Sequence, residues 1–73
     1  MAQDATLRVE GMDCAACERR LGAALTRLKG VITAKADHRA ARVDVRFDPD
    51  RVSEQDIRQR IRAAGFDAPE AEG

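Results

Sequence analysis

The apolar residues of this 73-residue chain change period from two to about 3.6 and back, twice over. That alternation of strand and helix patterns limits the fold more than any other property. From Thr6 to Glu10, Leu7 and Val9 fall on one face and Thr6, Arg8 and Glu10 on the other, the pattern of a half-buried strand. Gly11-Met12-Asp13-Cys14 interrupts it. From Ala15 to Leu28 the residues Cys17, Leu21, Ala24, Leu25 and Leu28 recur at helical spacing, with Glu18, Arg19, Arg20 and Arg27 facing away, and Gly30 suits the left-handed turn after a helix end. Val31 to Ala36 reads as a short strand and Asp37-His38-Arg39-Ala40 as a polar turn. In Ala41 to Phe47, Ala41, Val43, Val45 and Phe47 point inward against Arg42, Asp44 and Arg46, until Asp48-Pro49-Asp50 ends the strand. Ser53 is a good N-cap with Asp56 in the capping-box position. Ile57, Ile61 and Ala64 then form the buried stripe of a second helix that closes at Gly65. A last strand is expected from Phe66 onward, running into an acidic tail over residues 69–73 with the composition of a linker.

The order βαββαβ predicts an α+β, ferredoxin-like domain: a four-stranded antiparallel sheet with two helices on one face. So short a chain makes one domain over residues 1–73, with its core at about 5–68. The topology brings three loops to one edge, Gly11 to Cys17, Asp37 to Ala40, and Gly65-Phe66, so Phe66 is expected beside whatever the first loop holds. His38 is expected as an exposed turn residue, and Arg58, Arg60 and Arg62 as a solvated helix face.

Thirteen Lys and Arg balance thirteen Asp and Glu, so no large basic field exists to hold nucleic acid. RNA-recognition modules share this element order, but they stack bases on aromatic residues, where strand three here presents Arg42, Asp44 and Arg46. No signal sequence opens the chain and no apolar run approaches the roughly 20 residues of a bilayer span. The expectation is a soluble, cytoplasmic monomer, or the cytosolic domain of a longer membrane protein, with no membrane insertion of this segment.

The only two cysteines lie three positions apart, too close to staple a fold, so they read as a site. At a strand-to-helix junction, Cys14 falls in the loop and Cys17 in the first helical turn, where free backbone N–H groups and the helix dipole favour thiolate, with Arg19 and Arg20 nearby. Thiolates select thiophilic ions such as Cu(I) and Zn(II) over Mg(II) or Ca(II). A closed structural zinc site takes four protein ligands, and this chain offers two sulfurs, one distant histidine and some carboxylates. Such an open shell suits transfer of the ion to a second protein's thiols. The rival reading from another class is a dithiol redox module.

Gly11-Met12-Asp13-Cys14-Ala15-Ala16-Cys17, followed by Leu21, Leu25, Leu28, Gly30, Val31 and Ala64-Gly65-Phe66, resembles the heavy-metal-associated domain family. The resemblance implies the βαββαβ fold, Cys14 and Cys17 as ligands, and Met12 packed beneath the loop. Members are metallochaperones, N-terminal modules of metal-exporting P-type ATPases and modules of mercuric reductases. The implied partner is therefore a P-type ATPase, in cis or in trans, or another Cys-x-x-Cys domain. Copper members commonly carry threonine before the first cysteine. Asp13 looks instead like the zinc, cadmium and lead ATPase branch, where the aspartate is a candidate third ligand; the alternative is an N-cap bonding the N–H of Ala15 or Ala16. Phe66, where copper chaperones often have lysine or tyrosine, either shields the thiolates or closes the core. The expected cargo is one Zn(II), Cd(II) or Pb(II) ion, with Cu(I) and a free-standing copper chaperone or copper ATPase domain as the alternative.

Overall fold

A computed structural model describes residues 2–69. Along them run strand β1 (Gln3–Arg8), helix α1 (Ala15–Thr26), strands β2 (Val31–Asp37) and β3 (Arg42–Phe47), and helix α2 (Glu54–Ala63). The strands pair antiparallel in the order β1-β3-β2. β3 is central, which is why its alternation is the clearest in the sequence: Val43, Val45 and Phe47 are all buried while Arg42, Asp44 and Arg46 are exposed. Two inward positions of β3 meet apolar neighbours on both sides, Val43 between Leu7 and Ala36, Val45 between Ala5 and Ala34. On the open face Asp44 lies between Thr6 and Lys35, and the Thr6 hydroxyl donates to it at 2.8 Å. A bulge in β2 inserts Ile32 between Val31 and Thr33, leaving it 54% exposed while Val31 and Ala34 both turn toward the core.

Leu21 and Leu25 of α1 and Ile57 and Ile61 of α2 bury against this sheet in one core that includes Phe47, Met12 and Phe66. α1 ends two residues before the expected Leu28, with Arg27 as C-cap. Leu28 still packs against the core from the turn that follows. Gly30 and Gly65 both take φ of +97°, the left-handed turns expected after each helix. The capping box at α2 is formed: the Asp56 N–H donates to Ser53 Oγ at 3.1 Å and the Ser53 N–H to Asp56 Oδ2 at 3.0 Å. Those Ser53 donors hold the Asp56 carboxyl below its ordinary pKa.

Two expectations need correction. Among the described residues the sheet has three strands; of the fourth, only a single bridge is present, where Glu10 and Asp67 exchange backbone hydrogen bonds of 2.8 and 2.9 Å. Alternate N–H groups of a strand point to opposite edges, so Val9 donates to Ala41 and Glu10 to Asp67 on the other side. Pro69 cannot donate to a ladder, and residues 70–73 of the expected strand lie outside the described residues. Nor do the three arginines of α2 together form a solvated face, since of them only Arg62 is exposed. Arg58 is 6% exposed and its Nη2 donates to Glu54 at 3.0 Å; Arg60 Nε reaches the Ala24 carbonyl of α1 and Arg62 Nη2 the Ala68 carbonyl. Each guanidinium thus has an acceptor, although the buried Nε of Arg58 has none among the described residues. Among the described residues no helix is long and apolar enough to cross a membrane.

Candidate metal centre

Between β1 and α1 the chain passes through Gly11, with φ of +92°, into Met12, which is 4% exposed and seated in the core. Buried Met12 and half-buried Cys17 anchor the two ends of a loop in which Asp13, Cys14, Ala15 and Ala16 carry most of the exposure. Cys17 packs against the core from the first turn of α1. Phe66 is 8% exposed and belongs to the same core as Met12, so it closes the interior below the loop.

The N-cap of α1 is Cys14, not Asp13. Its carbonyl accepts the first helical bonds, from Cys17 N–H at 3.1 Å and Glu18 N–H at 3.2 Å, and its Sγ accepts from the Cys17 N–H at 3.4 Å. A sulfur thus occupies the place usually given to a capping oxygen. The Asp13 carboxylate makes no hydrogen bond or ion pair among the described residues.

Both cysteines are free, and their Sγ atoms are 2.8 Å apart. Cys14 is lowered from the ordinary cysteine pKa chiefly by its bond with the Cys17 thiol, then by the Cys17 N–H, against desolvation and, less, the negative charge of Asp13. Cys17 is raised by the same bond, in which its thiol donates once Cys14 is ionised, and by partial desolvation. The reduced pair therefore ionises at Cys14 first, with Cys17 keeping the shared proton. Arg19 and Arg20 are exposed, and the sulfurs' own hydrogen bonds, rather than those guanidinium charges, cause the two shifts.

Two thiolates at a helix start could hold one thiophilic ion. Zn–S bonds of about 2.3 Å at a tetrahedral angle put two sulfur ligands about 3.8 Å apart, a span that neighbouring side chains of one helical turn can reach. Among the described residues no three His, Cys, Asp or Glu side chains converge on a common point.

His38 is not the exposed turn residue expected from the sequence. Its side chain is 25% exposed, and Glu18 Oε1 accepts from both its backbone N–H at 2.8 Å and its Nδ1 at 2.7 Å. These bonds lower the Glu18 pKa, the backbone N–H contributing most. The signal for this pair was present in the topology, which brings the Asp37 to Ala40 turn and the start of α1 to one edge, but nothing local marks the two residues as partners.

The family model of the heavy-metal-associated domain matches residues 6–67. Over 60 residues, 82% of this chain, the sequence is 47% identical to the copper-transporting ATPase RAN1 of Arabidopsis thaliana and 42% identical to a zinc-transporting ATPase of Synechocystis sp.. It is 40% identical over 62 residues to the copper chaperone CopZ of Bacillus subtilis. The matched segment spans 6% and 8% of the two ATPases but 90% of the chaperone. Among solved structures, a copper binding domain from HMA7, a P-type ATPase, superposes with a TM-score of 0.90 at 42% identity, covering 94% of this chain and 92% of that one.

Proposed function

The chain belongs to the heavy-metal-associated domain family, and from that premise we propose that it carries one soft metal ion on the thiolates of Cys14 and Cys17 and passes it to a partner protein. The observation that carries this reading is the exposure of Cys14 next to half-buried Cys17 at the start of α1. One sulfur is anchored to the core and the other lies open to a competing thiol, so the ligands can be exchanged one at a time. The module itself performs no catalysis. The partner is a metal-transporting P-type ATPase, in cis or in trans, or a second Cys-x-x-Cys domain, and the site faces the cytoplasm.

The uncommitted carboxylate of Asp13 favours a divalent cargo, Zn(II), Cd(II) or Pb(II), in a module at the N-terminus of an exporting ATPase. Zn(II) accepts carboxylate oxygen and a third ligand, and an added negative charge favours a divalent ion over a monovalent one. The near-complete coverage of a copper chaperone supports the second reading, a free-standing Cu(I) carrier using the two sulfurs alone. Titrating the reduced protein with Zn(II) and Cu(I), as wild type and as Asp13→Ala, separates them. The divalent reading expects Zn(II) affinity to fall about tenfold or more with Cu(I) affinity little changed. An unchanged Zn(II) affinity removes it. A dithiol redox module would instead cycle reversibly in glutathione buffers and hold no ion tightly.

Loading requires both sulfurs as thiolates, so affinity rises with pH. Below the lowered Cys14 pKa each ion displaces two protons; between it and the raised Cys17 pKa, one; above both, none. A plot of log affinity against pH, measured with Zn(II) at constant ionic strength, is therefore expected to flatten in two steps. A single two-proton step would contradict the split.

A further inference from the structure

We infer that His38 is a positioning residue for metal retention: through Glu18 it fastens the first turn of α1 to the β2–β3 turn and so holds Cys17 in place as a ligand.

Glu18 follows Cys17 directly, and its N–H shares the Cys14 carbonyl with the Cys17 N–H. Its carboxylate is drawn to a residue 20 positions away, and both bonds, from the backbone N–H and from Nδ1 of His38, end on the same oxygen. The turn that presents them is itself fixed. Asp37 Oδ1 accepts from the Arg39 and Ala40 N–H groups at 3.0 and 3.2 Å, and the strands on either side pair from Asp37 and Arg42 onward. On the other side of the sulfurs the chain is held by the burial of Met12 rather than by a side-chain hydrogen bond, since the carboxylate of Asp13 makes none among the described residues. One end of the ligand loop is thus tied to the hairpin by hydrogen bonds, and the other rests on the packing of Met12. Side chains that orient ligands from outside the coordination shell change metal affinity by about 10–100-fold when they bond a ligand directly. His38 acts one residue further out, so a smaller effect is expected, and in the rate of release rather than in folding.

The inference rests on Cys14 and Cys17 being ligands, and the test keeps the two apart. Cd(II) is loaded onto wild type, His38→Ala, His38→Asn, Glu18→Ala and the double variant of His38→Ala with Glu18→Ala. Its removal by excess glutathione is followed by loss of the sulfur-to-Cd(II) charge-transfer absorption, with thermal unfolding of the metal-free proteins recorded alongside. Expected is release about threefold faster or more in Glu18→Ala, a smaller acceleration in His38→Ala, which keeps the backbone N–H bond, no further gain in the double variant over Glu18→Ala, and restoration in His38→Asn, whose amide nitrogen can stand where Nδ1 donates. Release at the wild-type rate in His38→Ala overturns the inference. So does acceleration that His38→Asn fails to restore and that tracks the loss of unfolding temperature, which would make the pair a fold contact only. If wild type shows no sulfur-to-Cd(II) band, the failure lies with the ligand assignment, and the inference falls with it.

Discussion

Replacing both cysteines, Cys14→Ser together with Cys17→Ser, is expected to lower Zn(II) or Cd(II) affinity by about ten-thousandfold while leaving the fold in place. The size follows from structural zinc sites, whose roughly 10–16 kcal/mol spread over four ligands gives about 3 kcal/mol for each, or more than a hundredfold per sulfur. The fold survives because neither thiol is indispensable to it. Cys14 is exposed and caps α1, a position where serine is a preferred residue, and Cys17 only flanks the core whose centre is Leu21, Leu25 and Phe47. Competition with a chromophoric chelator measures the affinity, and far-ultraviolet circular dichroism checks the helices. An affinity within tenfold of wild type would show that the ion is held elsewhere.

Gly30→Ala carries the largest expected loss of stability. At φ of +97° an L residue is strained by about 1–2 kcal/mol. A Cβ there would also stand 2.8 Å from Val52 Cγ1 and 2.9 Å from Arg51 Cβ, an overlap that costs a further 1–3 kcal/mol or so. A sum of about 3 kcal/mol is a large share of the stability of a domain this small, and corresponds to a fall in Tm of about 15 °C. Gly11 and Gly65 have similar φ, of +92° and +97°, but nothing lies within 4 Å of where their Cβ would stand, so alanine there should show the strain alone. Thermal unfolding of the three variants tests the distinction. Equal losses would mean that the approach of Arg51 and Val52 to Gly30 contributes nothing.

The places where expectation and structure parted share a cause. Asp13 is a more usual cap than cysteine, yet the helix begins one residue later, because the carbonyl that accepts from Cys17 and Glu18 belongs to Cys14. Arg58 is of a residue type usually found at the surface and is buried, with Glu54 one turn earlier offering its guanidinium an acceptor. Phe66, expected to shield the thiolates or close the core, is buried in one core with Met12 and Ile61. His38 lay in a polar turn with no local partner.

What the chain alone determined was everything governed by near neighbours: the two periods that alternate Leu7 and Val9 with Arg8, and Val43 and Val45 with Asp44, the glycines that let each helix stop, and two sulfurs spaced to share the start of a helix. Backbone sterics and the direction of successive side chains act over a few residues, so a few residues suffice to read them. Only the tertiary structure decided which partners those elements meet across the fold, because the contact of Glu18 with His38, the reach of Arg60 to Ala24 and the single bridge from Glu10 to Asp67 join residues whose proximity is produced by packing the whole sheet against both helices.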